Sequence, residues 1–495
     1  MVEKFVSDFV SIFSPLMKRA CILILFLCRI GLCNAQDTVK SVFTKYYTVN
    51  QLKSDFVFFR TALEVIHPSL YRYHPKDSVD SYFNQSFAGL NHPMNELEYW
   101  KILAKIIGKI GSGHTSLYLS DAARRQYAIT THNFLPADFY LQNGHLFIRN
   151  RFRQTDTALK KGAEVLAINN IPGPEIVKQM RSYVSGDGYN NAFKDRRIAV
   201  DFNHMYNLLN GDDFQYFFVL SDRGKVQHTL VKAARIFISS HGATGPNIDP
   251  NIKFPEDMPG TAVITIPNFE YLKEYERLHA SFFKEIKDRK IANLIIDLRN
   301  NPGGQIPIIN DLMGYVMTKN YQIGLSDENY VESGRIEYLG KKSQNNELSV
   351  SDIENVGHSL HQNQFKVNQL QFIRTRAFKG NLYLLVNEGS FSAAVMFSTA
   401  VKNQRDCFIV GQETGNSGYG SDAGVKTITL PETHIKLNLP VTWYFLAGHD
   451  KKNTGQGLIP DVLIPAPITP SFNFKDDAVM DAVKAHIKNT ANKAN

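Results

Sequence analysis

Cysteine is scarce in this sequence, and its placement limits the kinds of site that the chain can build. Four cysteines occur in 495 residues, and Cys21, Cys28 and Cys33 lie within the first 35. The rest of the chain keeps only Cys407, in the strand-like stretch DCFIVG, where a lone cysteine is typical of a small buried apolar residue. Without the N-terminal segment, an internal disulfide, a cysteine zinc site and a dithiol redox motif are excluded.

Metal-binding motifs and clusters of basic residues are also missing. The sequence has no His-Glu-x-x-His motif and no acid-rich loop, so it predicts neither a metal site nor a cofactor. The formal net charge is +8. Residues 1–35 contain four basic and two acidic residues, a net +2, which leaves +6 for the remainder. Those basic residues are interspersed with acidic ones, so nucleic acid is not a predicted partner.

Only one short hydrophobic run stands out, near the N-terminus. Residues 17–37, MKRACILILFLCRIGLCNAQD, begin with a basic pair, continue with an apolar core over residues 20–28 and reach a Cys-Asn-Ala pattern that ends at residue 35. Arg29 interrupts the run, which is too short to span a bilayer comfortably. The pattern predicts a signal peptide over residues 1–35, with Met17 as an alternative start, and hence a periplasmic or extracellular protein. An uncleaved anchor is the alternative.

The hydrophobic pattern divides the exported chain into three regions. Residues 36–128 are predicted to be helical, because VNQLKSDFVFFRTALEVI and ELEYWKILAKIIGKI carry apolar residues at helical spacing. Residues 129–240 contain a hairpin-like pair of strands, DFYLQNGHLFIRN, turning at Asn143-Gly144. The stretch GAEVLAINNIPGPEIVKQM then predicts a strand, a tight turn and a helix.

Strands alternate with helices in the third region, residues 241–475. GTAVITIPNF and IANLIIDLRNNPGG flank a helix predicted from about Tyr271 to Lys290, and KGNLYLLVNEGS and RDCFIVGQET flank a helix after Ser392. This alternation predicts an α/β fold with parallel crossovers. The polar residues 325–372 are predicted to be a surface insertion, and residues 476–495 a C-terminal helix or tail.

Candidate chemistry gathers where two predicted strands end, which is where active sites lie in open α/β sheets. One strand runs into NNPGG, and its paired glycines can leave backbone N–H groups pointing at a ligand. The other runs into Ser390 and Ser392, where a helix begins. A serine there lies near the positive helix end, and the following N–H is free to bind an oxyanion. Helix capping is the ordinary alternative for either serine.

Two further stretches favour a catalytic interpretation. His114 follows a helix end in KIGSGHTSLYL, between glycine-rich backbone and a strand, which is an unusual place for a core residue. The stretch VGQETGNSGYG is a strand followed by residues rich in glycine, serine and threonine, which is typical of a loop that lines a site.

Together these blocks resemble the family of C-terminal processing peptidases and tricorn-like serine peptidases. The similar segments are GSGHTSL, LIIDLRNNPGG, LLVNEGSFSAAVMF, VGQETG and GQGLIPDV, and they are most specific over residues 260–465. The resemblance implies a crotonase-like α/β peptidase core. It also implies a PDZ-like module over residues 129–240, where Glu164 and Asn170 replace the usual Asp and Gly. Such a module would bind an extended peptide by strand addition.

The resemblance also implies roles for individual residues. Ser392 matches the nucleophile, and the N–H groups of Ala393 and of Gly303 or Gly304 match the oxyanion hole. The lysine base of one branch falls on Ser417 here. His114 matches the histidine base of the tricorn-like branch, and a neutral imidazole near pH 7 can accept the serine proton.

At the acid that should orient the imidazole, the sequence departs from the family pattern. The family's glutamate position holds Thr454 here, so Asp450 is the predicted third member and Glu413 is the alternative. The sequence thus predicts an exported serine endopeptidase that acts on peptides or proteins through an acyl-enzyme, without a stable membrane span after signal cleavage. A peptide-binding or scaffolding protein of the same fold and an esterase on the same core are the alternatives.

Overall fold

The computed structural model describes residues 38–237, 251–326, 349–357, 370–447, 455–465 and 477–494. The predictions for the signal segment and for Asp450 lie outside these residues. The described residues form a mixed α/β fold with three successive regions. No helix among them is both long enough and apolar enough to cross a bilayer.

The first region is mainly helical. Its elements are α1 (Thr38–Val42), β1 (Tyr46–Tyr47), α2 (Val49–Ile66), α3 (Lys76–Ala88), β2 (Met94–Asn95), α4 (Glu96–Ile110), β3 (Ser116–Tyr118), α5 (Asp121–Ile129) and β4 (Thr131–Phe134). Capping boxes start both long helices, because Thr48 caps α2 with Gln51, and Asn95 caps α4 with Glu98. The left-handed Gly111 (φ 81°) ends α4 and turns the chain toward His114.

The middle region is an antiparallel sheet with helices packed on it. Its elements are β5 (Ala137–Gln142), β6 (His145–Arg151), β7 (Glu164–Ile168), β8 (Ile171–Pro172), α6 (Gly173–Arg181), α7 (Asn191–Val200), α8 (Phe202–Asn210), β9 (Gln215–Asp222), β10 (Lys225–Lys232) and β11 (Ala234–Phe237). The strand order is β10-β9-β7-β6-β5, with β8 beside β7. Asn143 and Gly144 both have positive φ, as a tight two-residue hairpin turn requires.

The third region carries a mostly parallel sheet. Its elements are β12 (Asn251–Lys253), β13 (Thr261–Thr265), α9 (Leu272–Asp288), β14 (Asn293–Asp297), α10 (Ile306–Val316), β15 (Gly324–Ser326), α11 (Val350–Gly357), β16 (Asn381–Val386), α12 (Ala393–Gln404), β17 (Phe408–Gly411), β18 (Gly420–Ala423), β19 (Lys426–Thr429), β20 (Lys436–Leu439), β21 (Thr442–Leu446), β22 (Val462–Leu463) and α13 (Ala478–Ala494). The sheet order is β12-β13-β14-β16-β17-β22, and only β12 runs antiparallel to its neighbour.

Helices cover both faces of this sheet, which explains why its strands are apolar throughout. On one face α9, α10 and α12 pack against residues such as Ile264 and Ile296. On the other face α13 packs against Ile295 and Val410. The loop that leads to the nucleophile candidate therefore follows a strand held on both edges, because β16 is flanked by β14 and β17 and buried between helices.

The C-terminal half of the chain returns to the first region. Strand β20 pairs with both β19 and β3, in register Leu437↔Leu117. Leu437 and Ile353, which belongs to α11 in the predicted insertion, are buried in the same core as helices α2 and α4. The segment that carries His114 is therefore packed against residues of the first region and against residues from the C-terminal half of the chain.

Candidate active site

The ends of strands β14 and β16 are joined by asparagine side chains. The N–H of Asn300 donates to Asn387 Oδ1 (2.8 Å), and Asn387 Nδ2 donates to Asn300 Oδ1 (3.1 Å). The N–H of Phe391 donates to the carbonyl of Asn301 (2.9 Å). These bonds place the turn after β14 directly against the residues that start α12.

The two serines at this helix start have different surroundings. Ser390 is fully buried; its hydroxyl donates to the carbonyl of Leu298 (2.8 Å) and accepts from the N–H of Asn387 (3.0 Å), so it fixes the turn. Ser392 is partly exposed, and its hydroxyl makes no capping hydrogen bond to the helix. Its backbone has φ 53° and ψ −122°, a conformation that a non-glycine residue adopts only under constraint.

His114 lies opposite Ser392. Its Nε2 atom is 3.1 Å from Ser392 Oγ, although the two residues are 278 positions apart in the chain. If the serine hydroxyl donates to Nε2, the neutral ring must carry its hydrogen on Nδ1. The buried Nδ1 has no hydrogen-bond partner among the described residues. An unpaired buried N–H costs about 1–3 kcal/mol, and a carboxylate at this position would remove that cost.

The environment keeps the imidazole neutral. Burial, with the nearby Arg197 guanidinium as a smaller cause, lowers the pKa of His114 to about 3. The side chain is therefore a proton acceptor at neutral pH. A neutral histidine in hydrogen-bond reach of a serine hydroxyl is the arrangement needed for general-base activation of that hydroxyl.

Two aromatic rings pack behind the imidazole. The Phe391 ring lies 4.6 Å from the His114 ring, and the Phe193 ring stacks on Phe391 at 4.3 Å with an interplanar angle of 4°. Phe193 is buried and comes from α7 of the middle region. The middle region therefore supports one side of the His114–Ser392 pair.

The turn that carries His114, residues 112–115, is fixed by a chain of buried hydrogen bonds. The N–H of Ser69 donates to His67 Nδ1 (3.2 Å), so His67 Nε2 carries the hydrogen and donates to Thr115 Oγ1 (2.7 Å). The Thr115 hydroxyl donates to Ser112 Oγ (2.9 Å), which donates to an Asp422 oxygen (2.6 Å). The Ser69 hydroxyl also donates to Asp422 (2.7 Å) and closes the ring of contacts.

A backbone N–H that could donate a hydrogen bond to an oxyanion lies beside Ser392. Ala393 opens α12, and its N–H has no acceptor among the described residues. Gly303 (φ 100°) runs so close that a Cβ added to it would lie 2.6 Å from Ser392 Cβ and 2.8 Å from Ala393 N. The N–H of Gly303 itself donates to Asn301 Oδ1 (2.8 Å), whereas that of Gly304 has no acceptor among the described residues.

Comparison with known proteins identifies a related family. Residues 260–464 match the sequence model of peptidase family S41. This stretch of the chain is therefore a peptidase family S41 segment, as the sequence motifs predicted. It is therefore a serine-type peptidase, a hydrolase. No curated protein has a significant match to the sequence.

Two solved structures, both of mature CPAF, share the fold of this peptidase at low sequence identity. Mature CPAF aligns with a TM-score of 0.59 and 13% identity, over 85% of this chain and 93% of its own. Mature CPAF in complex with lactacystin gives the same TM-score and identity, over 85% and 94%. The photosystem II D1 C-terminal processing protease has 15% identity over 83% of this chain and 93% of its own, with a TM-score of 0.39.

Several predicted or neighbouring residues lie away from the reacting pair in this S41 peptidase. Glu413 accepts a hydrogen bond from the N–H of Gly457 (2.7 Å), and it does not contact His114 Nδ1. Lys402 pairs with Asp461 (2.8 Å) and also donates to the carbonyl of Ile459 (3.3 Å). Across the described ranges, no group of three or more His, Cys, Asp or Glu side chains could hold a metal ion.

Two supporting residues of the peptidase were missed from the sequence. Asn416 is buried, and its Oδ1 accepts the N–H of Ser392 (2.5 Å). Asp187 is fully buried and accepts two backbone N–H groups, from Gly113 (2.6 Å) and Ser417 (3.1 Å). The only sequence signal for Asp187 is a glycine on each side, in SGDGYNN, which is typical of many ordinary turns.

Both buried carboxylates near the His114 turn resist ionisation. Burial and then the charge of Asp422 raise the pKa of Asp187 to about 7, against the lowering effect of its two N–H donors. Burial raises the pKa of Asp422 to about 6, while the hydroxyls of Ser112 and Ser69 and the Arg72 cation lower it. Burial raises the pKa of the Tyr73 phenol, and the charges of Asp187 and Asp422 raise it further. Two buried acids so close to one turn are costly for the fold.

Proposed function

We propose that this S41 peptidase is an exported serine endopeptidase that cleaves peptide bonds through an acyl-enzyme on Ser392, with His114 as general base. The observation that carries the proposal is the 3.1 Å separation of Ser392 Oγ and His114 Nε2 at the start of α12. The uncapped hydroxyl, the constrained backbone of Ser392 and the neutral imidazole all support it.

The proposed reaction starts when Ser392 Oγ attacks the substrate carbonyl carbon and its proton passes to His114 Nε2. The carbonyl oxygen becomes an oxyanion, which the N–H of Ala393 and an N–H of the Gly303-Gly304 pair would stabilise. The imidazolium then gives its proton to the leaving amine. Water attacks the acyl-enzyme with the imidazole again as base, which releases the acid product and restores the serine hydroxyl.

For the third member we propose Asp450, with Glu413 as the alternative. An acceptor is required because His114 Nδ1 is buried and unpaired among the described residues, and an imidazolium there would be unstable without a negative neighbour. Glu413 is the weaker candidate, because its carboxylate already accepts the N–H of Gly457. Asp450→Asn should lower kcat strongly, whereas Glu413→Gln should mainly loosen the loop that it holds.

We also propose that residues 241–475 form a crotonase-like peptidase core and that residues 129–240 form a PDZ-like module, preceded by the helical region 36–128. The parallel β13-β14-β16-β17 sheet with helices on both faces supports the first assignment. The antiparallel β10-β9-β7-β6-β5 sheet with its helices supports the second. Peptide or protein substrates are proposed on the basis of the family, and the signal-like residues 1–35 support export.

The decisive experiment combines a serine-reactive phosphonate with Ser392→Ala. We expect the wild-type protein to be labelled at Ser392 and to cleave peptides, and Ser392→Ala to lose both properties with an unchanged unfolding temperature. Ser281→Ala is the matched control, because that exposed serine only donates to the carbonyl of Leu278 within its own helix. Lactacystin, which is bound in a structure of mature CPAF, is a second probe for the same hydroxyl.

The outcome also separates the alternatives. Full peptide cleavage by Ser392→Ala would contradict the proposal. A wild-type protein that neither reacts with the phosphonate nor cleaves peptides would be a peptide-binding scaffold. Labelling with turnover of simple esters but not of a peptide library would indicate an esterase.

A further inference from the structure

Asp187 connects the two loops that hold the proposed reacting groups. Its Oδ1 accepts the N–H of Gly113, the residue immediately before His114. Its Oδ2 accepts the N–H of Ser417, the residue immediately after Asn416. Asn416 in turn accepts the N–H of Ser392. One carboxylate therefore binds the residue next to the proposed base. It also binds the residue next to Asn416, which in turn binds the proposed nucleophile.

The loop that carries Asp187, residues 185–190, makes further bonds to the same surroundings. The N–H of Gly188 donates to the carbonyl of Gly111 (2.8 Å), just before the His114 turn. The Nδ2 of Asn190 donates to the carbonyl of Thr414 (2.6 Å), just before Asn416. The loop is thus inserted between the two segments at more than one point, and Asp187 is the charged contact at its centre.

The energetics argue against a purely stabilising role for this carboxylate. Asp187 is fully buried, and among the described residues it forms no salt bridge with a lysine, arginine or histidine. Asp422, the nearby acid, adds repulsion. Burying a charge with only neutral donors and a like charge nearby is unfavourable for folding. Its position between the two loops gives a functional reason for a carboxylate that lowers the stability of the fold.

We propose that Asp187 is a positioning residue for the peptidase reaction, one that sets the separation of His114 and Ser392 by holding the turn 112–115 and the loop around Asn416 on its two oxygens. This inference rests on the proposed function of the pair. A carboxylate suits the task because both of its oxygens accept hydrogen bonds, whereas a side-chain amide has one acceptor oxygen and an NH₂ group that would face an N–H.

The test is Asp187→Asn, an isosteric change that leaves one of the two N–H groups without an acceptor. We expect kcat and the rate of phosphonate labelling at Ser392 to fall by about 10- to 100-fold, because small misplacements of reacting groups have effects of that size. KM should stay within about twofold, since the change alters the reacting pair rather than the surface that binds substrate.

Asp55→Asn is the matched control. Asp55 is also fully buried and accepts two backbone N–H groups, from Glu432 and Thr433, but it lies in α2 and contacts neither His114 nor Ser392. We expect this variant to lower the unfolding temperature while kcat of the folded enzyme stays unchanged. A loss of kcat in both variants at temperatures where both are folded would overturn the assignment, because the effect would then be general.

The result also separates this proposal from the proposed function. If Ser392→Ala is inactive but Asp187→Asn has wild-type kcat and labelling rate, the positioning role is wrong and the mechanism stands. If Ser392→Ala keeps full activity, the mechanism itself is wrong. If Asp187→Asn does not fold, Asp187→Ala and Asp187→Ser are measured instead. If either of these two variants folds and has a normal kcat, the positioning role is also wrong.

Discussion

Replacing Gly303 with alanine is a direct way to test the oxyanion site. A Cβ at this position would lie 2.6 Å from Ser392 Cβ, 2.8 Å from Ala393 N and 2.8 Å from the carbonyl oxygen of Phe391. Ordinary contacts begin at 3.4 Å, so the serine would have to retreat by the difference, 0.8 Å. Two of the three atoms belong to the backbone, which cannot move aside as a flexible side chain can.

The expected effect on catalysis is large. Displacing the N–H of Ala393 removes a donor to the developing oxyanion, and the loss of one such donor lowers kcat by about 10²–10³-fold. Stability should change less. Alanine at a positive φ costs about 1–2 kcal/mol, to which the steric clash adds. The assay is kcat on a peptide or activated ester, measured beside the unfolding temperature.

Gly260→Ala is the control for this substitution. Gly260 also has a positive φ (72°), but a Cβ there would meet nothing within 4 Å. It should therefore show the backbone strain alone, with a lower unfolding temperature and normal kcat. Wild-type kcat in Gly303→Ala would refute the reasoning, because a methyl group cannot occupy that space while Ser392 and Ala393 N keep their positions.

Two further expectations follow from the site. Protonated Asp187 can accept fewer N–H bonds, and its pKa is about 7. As the pH is lowered through 7, kcat/KM should therefore fall by about 10- to 100-fold in total and then level off near the value of Asp187→Asn. That limb should be absent in Asp187→Asn, since His114, with a pKa of about 3, stays neutral; a limb near pH 6.5 in both proteins would instead implicate the imidazole. Phe193→Leu, which removes the ring stacked on Phe391, should lower kcat several-fold. Phe202→Leu, a buried ring of the middle region packed at 4.7 Å on Phe139, should reduce only stability, and equal kcat values for the two variants would contradict the prediction.

The elements with strong local patterns could be predicted from the sequence. The helix predicted from about Tyr271 to Lys290 is found at Leu272–Asp288, and the hairpin turn lies at Asn143-Gly144 as predicted. Capping residues, amphipathic spacing and turn residues act within a few positions, so the sequence shows them directly. Strands β1 and β2 could not be predicted, because each has only two residues and forms through a distant partner.

In the candidate site too, residues with a local sequence signal could be predicted and residues that act through distant contacts could not. His114 and Ser392 were predicted because each lies in a recognisable stretch, and the atoms Nε2 and Oγ are 3.1 Å apart. Asp187 and Asn416 could not be predicted, because they act through backbone N–H groups, which every residue type except proline possesses. Asp187 reaches Ser417 across 230 positions, and no spacing rule covers such a contact.

The pairing of β3 with β20 has a consequence for the order in which the site can be completed during synthesis. The strand that follows His114 gains its partner only when residues 436–438 have been synthesised, and the serine itself is residue 392. A growing polypeptide on the ribosome therefore carries the imidazole for most of its synthesis with nothing to activate. A fragment of the chain that ends before Ser392 therefore cannot contain the proposed reacting pair.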